Sequence, residues 1–168
     1  MNKPTLYAMS KNQKLTTFDP ESVDWVDLGL PSGLLWAAEN APGHYTFDEA
    51  VATFCECLPK GAAMVELFEE CQVDWNPEKK GLDITGPNGN SIFLPAAGYI
   101  DCDTQELKAA GRWGEYWTRM PYLPHTKSFA PYSQAGARGL TFDSGNVYPL
   151  DGSYRAYGFS VRPSRELN

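Results

Sequence analysis

The chain is poor in the residues that most often mark chemistry. It has two histidines, His44 and His125. A Ser/His/Asp arrangement would need one of them beside a positioned serine and a carboxylate, and no Gly-x-Ser-x-Gly elbow is present. The four cysteines, Cys55, Cys57, Cys71 and Cys102, follow neither a zinc spacing nor a disulfide framework, so reduced and mostly buried thiols are expected. No window approaches the roughly 20 apolar residues of a membrane span, which argues against membrane insertion. Met1 to Lys11 holds no apolar run of signal-peptide length. Export would then use another route, to a virion such as a phage tail or non-classically to a cell surface; otherwise the protein is expected in the cytoplasm.

Other features that resemble sites have simpler readings. Gly86-Pro87-Asn88-Gly89-Asn90-Ser91 has glycines but no lysine and no following helix, so it is not a phosphate loop. Asp101 and Asp103 flank Cys102; such a pair can hold a divalent cation, or can cap a turn before Thr104. The turn is the simpler assignment. Glu66, Glu69 and Glu70 read as the wet side of a helix. The residues therefore assign no catalytic group, metal ligand or cofactor, and point to a non-enzyme.

Charge is unevenly spread. Up to Glu106 there are 17 acidic and 6 basic residues, and from Leu107 on 4 acidic and 8 basic, making up the overall −7. The acidic half disfavours nucleic-acid binding. The mildly basic remainder could meet an anionic partner, or its arginines could pair with framework carboxylates.

Periodicity predicts an α+β domain with two helices packed on short antiparallel sheets. Residues 1–22 read as a polar leader or tether, and 23–168 as a single domain. Trp25 to Leu30 and Leu34 to Ala37 read as strands around a Pro31-Ser32-Gly33 turn. Thr46 and Glu49 form a capping-box pattern before a helix whose apolar face is Phe47, Ala50, Val51, Phe54 and Leu58, ending at Pro59. Met64, Leu67, Phe68 and Cys71 mark a second helix over about Ala62 to Gln72. Leu82 to Thr85 and Ser91 to Leu94 flank an Asn-Gly hairpin signal. A loop runs from Pro95 to near Arg112, and short strands follow at Leu140 to Phe142, Val147-Tyr148 and Phe159 to Val161. Trp36, Phe54, Leu67, Phe68, Phe93, Trp117, Phe142, Phe159 and Val161 are the expected core.

The last third is the most informative. Six of the nine tyrosines fall from Tyr116 onward. Two runs, Tyr122 to Ser133 and Tyr148 to Tyr157, lie between framework-like segments and together combine Tyr with Ser, Gly and Asp. That palette gives large contact area at low entropic cost, as in binding loops. The candidate ligand-binding residues are Tyr122, Leu123, Pro124, His125, Thr126, Ser128, Tyr132 and Ser133 in the first run. In the second they are Tyr148, Leu150, Asp151, Gly152, Ser153, Tyr154 and Tyr157.

Four motifs carry a resemblance. Val26 to Ala37 (VDLGLPSGLLWA), Leu58 to Leu67 (LPKGAAMVEL), Gly86 to Tyr99 (GPNGNSIFLPAAGY) and Gly158 to Pro163 (GFSVRP) occur in the order and spacing of a large family of gut bacterial and phage domains. The family has the C-type lectin-like fold also seen in formylglycine-generating enzymes, and many members resemble the variable proteins of diversity-generating retroelements. In those systems a reverse transcriptase randomises template adenines, mostly in AAC codons, which cannot then yield Lys, Gln, Glu, Met or Trp. Tyr148 to Tyr157 contains none of these types, and Tyr122 to Ser133 contains Lys127 alone. The resemblance implies a variable ligand-binding region at about 118–157 and a protein or surface receptor as partner. Homo-oligomerisation and attachment to a larger phage or surface assembly stay open. The chain lacks the family's Tyr-Phe-x-Trp-Gly-Glu block, the calcium motifs of sugar-binding lectins, and any cysteine after Cys102 that could serve a copper site. The alternatives are a relative of the formylglycine-generating enzymes and an adhesive surface domain that is not diversified.

Overall fold

The computed structural model describes residues 17–122 and 136–167, with the backbone alone at Tyr122. Over those residues the protein is mixed α and β, with two helices and several small antiparallel sheets.

The first helix, α1 (Phe47–Phe54), begins as its capping pattern predicts. The Thr46 hydroxyl accepts the Glu49 amide at 3.3 Å and donates to Glu49 Oε1 at 2.9 Å. The helix stops short of the expected boundary at Pro59. Cys55 adopts φ +49°, which no α-helix continues through, and a 3₁₀ turn (Cys55–Cys57) carries the chain to Leu58. Leu58 is still fully buried, so the apolar spacing identified the face but not the helix end. The second helix, α2 (Gly61–Glu70), buries Ala63, Met64 and Leu67. Phe68 and Cys71 only flank that core.

Strands β1 (Trp25–Asp27) and β2 (Leu35–Ala37) pair around the Pro31 turn, and β11 (Ser164–Arg165) adds to β2, so one sheet gathers both ends of the domain. Strands β3 (Gln72–Asn76), β4 (Gly81–Thr85) and β5 (Ser91–Pro95) form a meander. Its β4–β5 tip docks on the end of β1: the Asn88 and Asn90 amides donate to Asp27 O at 2.8 and 2.9 Å. Gly86 is required there, because a Cβ would lie 2.0 Å from Leu28 O. The stretch expected as a loop contains a short pair, β6 (Tyr99–Ile100) with β7 (Leu107–Lys108). The last sheet has the order β10-β9-β8, from β8 (Gly114–Tyr122), β9 (Gly136–Phe142) and β10 (Val147–Tyr154). Phe159 to Val161 is held by isolated bridges, Tyr45 to Phe159 and Tyr116 to Ser160, rather than as the expected strand.

Two apolar clusters result. One joins Trp36, Leu67 and Phe142 with Tyr116 and the inner faces of β4 and β5. The other joins Phe54, Trp117, Phe159 and Val161 with Tyr45 and Phe47 around α1. Phe93 does not enter the core. Strand alternation sends Leu82, Ile84, Ile92 and Leu94 inward and leaves Phe93 on the outer face beside Asp83, with Lys79 Nζ 5.7 Å above its ring. Phe68, likewise expected inside, is half-buried.

A polar pin crosses the whole fold. Arg162 is buried; its Nε donates to Asn40 Oδ1 at 2.8 Å, Nη1 to Ala37 O at 3.1 Å, and Nη2 to Phe93 O. Asn40 Nδ2 donates to the Tyr116 hydroxyl at 2.9 Å, and that hydroxyl donates to Pro95 O at 2.6 Å. Phe18, in the segment read as a leader, packs its ring 5.2 Å from Phe54 and donates its amide to Thr53 O at 2.8 Å.

The cysteines are free, but not mostly buried as expected: Cys55 is exposed and Cys57, Cys71 and Cys102 are half-buried. Cys55 is turned outward by the break after α1. Asp101 makes the turn cap, its Oδ1 accepting the Asp103 and Thr104 amides at 2.9 Å each. Among the described residues no helix is long and apolar enough to cross a membrane.

Candidate recognition face

The second tyrosine run is not a loop. It forms most of β10, an edge strand whose backbone is held by β9. Pairing sets Tyr148 opposite Thr141, Asp151 opposite Gly139 and Ser153 opposite Ala137, with a bulge between Tyr148 and Asp151. Residues paired across strands share a sheet face, so Tyr148, Asp151 and Ser153 stand on one side. Gly152 and Tyr154 alternate to the other. The bulge falls within the first set, between Tyr148 and Asp151, and bends the strand there.

Exposure divides the candidates. Tyr148 is 54% exposed and Tyr154 43%, and Asp151 and Gly152 are exposed. Ser153 is half-buried. Leu150 is half-buried against the start of α2, where a Cβ on Gly61 would lie 3.3 Å from Leu150 Cδ2 and 3.1 Å from Met120 Sδ. Tyr157 is half-buried between rings, 6.3 Å from Phe159 and 5.6 Å from Tyr99. Leu123, Pro124, His125, Thr126, Ser128, Tyr132 and Ser133, and the Tyr122 side chain, lie outside the described residues.

Three features beside these residues were not legible in the sequence. Tyr154 lies 6.0 Å from Tyr157, Tyr157 meets Tyr99 edge-on, and Tyr99 stacks 6.2 Å from Trp113, which is 44% exposed. The result is a train of rings with both ends open to solvent, assembled from segments more than forty residues apart in sequence (Tyr99 and Tyr157). Arg155 closes one flank: it ion-pairs with Asp48 and lies 4.7 Å above the Phe47 ring.

The third feature is Glu115, opposite Thr141 in the same row as Tyr148. It is buried, and its Oε2 accepts the Thr141 hydroxyl at 2.7 Å. Burial pushes its pKa up to about 7, and the Asp151 carboxylate adds repulsion against the hydrogen bond's opposing pull. A carboxyl that titrates near neutral pH therefore sits two strands from Tyr148 in the same cross-strand row. The one described histidine, His44, lies elsewhere, its Nε2 3.1 Å from Ala97 O, and burial lowers its pKa.

Comparison with protein-family models, with curated proteins and with solved structures finds no match for this chain.

Proposed function

We propose that this protein is a target-binding protein whose recognition surface is built on β10 and its neighbours. In this reading it has the C-type lectin-like architecture of the retroelement variable proteins that its motifs resemble, and its partner is a protein or surface receptor. The observation that carries the proposal is the exposure of Tyr148 and Tyr154, 54% and 43%, one on each side of a strand whose backbone is fixed by sheet pairing. Aromatic side chains on a rigid frame lose little entropy on binding and dominate many interfaces. Strand backbone bonds do not depend on which side chains project from them, so such positions can vary without loss of the fold. The ring train continues from Tyr154 to Trp113, into segments outside the two tyrosine runs.

The test is the pair of substitutions Tyr148→Ala and Tyr154→Ala made together. The melting temperature should move by only a few degrees, since exposed substitutions usually change stability by less than about 0.5 kcal/mol each. Binding to a target isolated by panning the wild-type protein against host surface extracts should be lost. A variant that binds that target undiminished would refute the surface. For diversification, the gene should lie near a reverse transcriptase and a near-copy of its C-terminal coding segment that differs at adenines.

A further inference from the structure

Away from the aromatic rings, Lys60 from the acidic part of the chain and Arg119 and Arg165 from the basic remainder come together. A cavity of about 410 Å³ opens between the turn after α1, the start of α2, β8 and β11, lined by Lys60, Arg119, Arg165, Cys57, Glu56 and Glu166 among others. Arg119 is half-buried, and its backbone N–H is anchored to Pro59 O at 2.7 Å. Among the described residues its guanidinium has neither a hydrogen-bond acceptor nor an ion-pair partner. The other two cations are only loosely engaged. Lys60 Nζ is 3.7 Å from Glu166 Oε1, and Arg165 is 3.1 Å from Glu21 Oε1 while it lies over the Trp25 ring. Both carboxylates are about three-quarters exposed, and ion pairs of that kind contribute little and exchange readily. Glu56 is exposed as well. Burial holds the Cys57 thiol above its ordinary pKa against the pull of Arg165, so it adds no anion to the lining.

A fork of guanidinium donors with no acceptor among the described residues, beside two further cations, matches an oxyanion. The volume falls within the roughly 300–1,000 Å³ of small-molecule sites and exceeds what a bare ion fills. We infer that this cavity binds the phosphate or sulfate group of a small organic ester, with Arg119 as the principal donor. The cavity adjoins the point where Leu150 meets Gly61 and Met120, but its ligand is a small ester and its filling needs no target protein.

The full chain, labelled with ¹⁵N, would be titrated at constant ionic strength with glucose 6-phosphate, inorganic phosphate, sulfate and glucose. The signals read are Arg119 Nε–H and the amides of Cys57 and Lys60. Saturable shifts confined to the cavity are expected with glucose 6-phosphate, weaker ones with the inorganic ions, and none with glucose. Arg119→Gln should weaken binding about tenfold or more, the loss of a charge-assisted hydrogen bond, with its melting curve confirming that it folds. Arg112→Gln, exposed and outside the cavity, should bind as wild type. Equal affinity for inorganic phosphate and the sugar phosphate would overturn the ester and leave the free ion as ligand. Shifts that do not saturate, or that persist unchanged in Arg119→Gln, would overturn the site. Because no target is present in this titration, its failure leaves the recognition face untouched, and the reverse holds as well.

Discussion

Glu115 is the residue whose environment most alters its chemistry. A carboxyl held at about 7 in the folded protein, against an ordinary 4.5, binds its proton more tightly folded than unfolded. Between those two values the folded state carries the extra proton, so stability falls as pH rises from about 4.5 to 7 and then levels off. The full effect is on the order of 3 kcal/mol. Glu115→Gln keeps an acceptor for the Thr141 hydroxyl and removes the titration. Urea unfolding at pH 5 and pH 8 should show the variant losing less stability than wild type across that interval. Parallel pH profiles for the two proteins would show that Glu115 ionises normally. The sequence hid this residue: Glu115 stands in a Gly-Glu-Tyr-Trp-Thr segment that reads as framework, and only pairing across three strands places it in one row with Thr141 and Tyr148. Tyr157 shows the converse. Its composition matched the binding palette, yet its ring packs on Phe159 and Tyr99 and belongs partly to the scaffold.

At the scale of the element, local chemistry explains where structure starts better than where it stops. Thr46 and Glu49 mark the start of α1 because the cap is made by residues three apart. Its end depends on Cys55, a residue with no special freedom at φ +49° and ψ −119°. Conformations of this kind cost a non-glycine residue on the order of 1 kcal/mol and suit glycine. Cys55→Gly should therefore raise stability by about 0.5–1 kcal/mol, read as a higher denaturant midpoint with unchanged slope. A lower midpoint would mean that the exposed thiol, or the Cβ that carries it, supports the turn in another way. The β4–β5 hairpin was legible from its Asn-Gly signal, but not the outward side chain of Phe93, because Ile92, Phe93 and Leu94 are all apolar and show no alternation.

Across the whole molecule, the buried polar pin and the exposed tyrosines Tyr148 and Tyr154 are different residues. Arg162 ties the end of β2, the Asn40 segment and β5 together through one guanidinium. Burial lowers its pKa, and its removal takes one donor group from the Asn40, Ala37 and Phe93 acceptors together. Arg162→Met should cost at least about 3 kcal/mol, and Arg162→Lys nearly as much, because an ammonium cannot span the same acceptors. At this chain length that corresponds to a melting temperature lower by roughly 6–12 °C. A Met variant melting with the wild type would mean the surrounding carbonyls find other partners. The exposed tyrosines of β10, by contrast, can be exchanged without touching this pin.

The sequence alone determined what short-range physics controls: an α+β composition, the cap of α1, the apolar stripe of α2, the β4–β5 hairpin and most of the core, from Trp36 to Val161. It also drew attention to the second tyrosine run, because composition survives without geometry. Only the tertiary structure decided which of those tyrosines faces water, that their segment is a paired strand, and that Tyr99, Trp113, Glu115 and the Arg119 cavity lie where they do. Those facts depend on contacts between residues distant along the chain, and register and packing between strands are settled by the assembled core rather than by any local stretch.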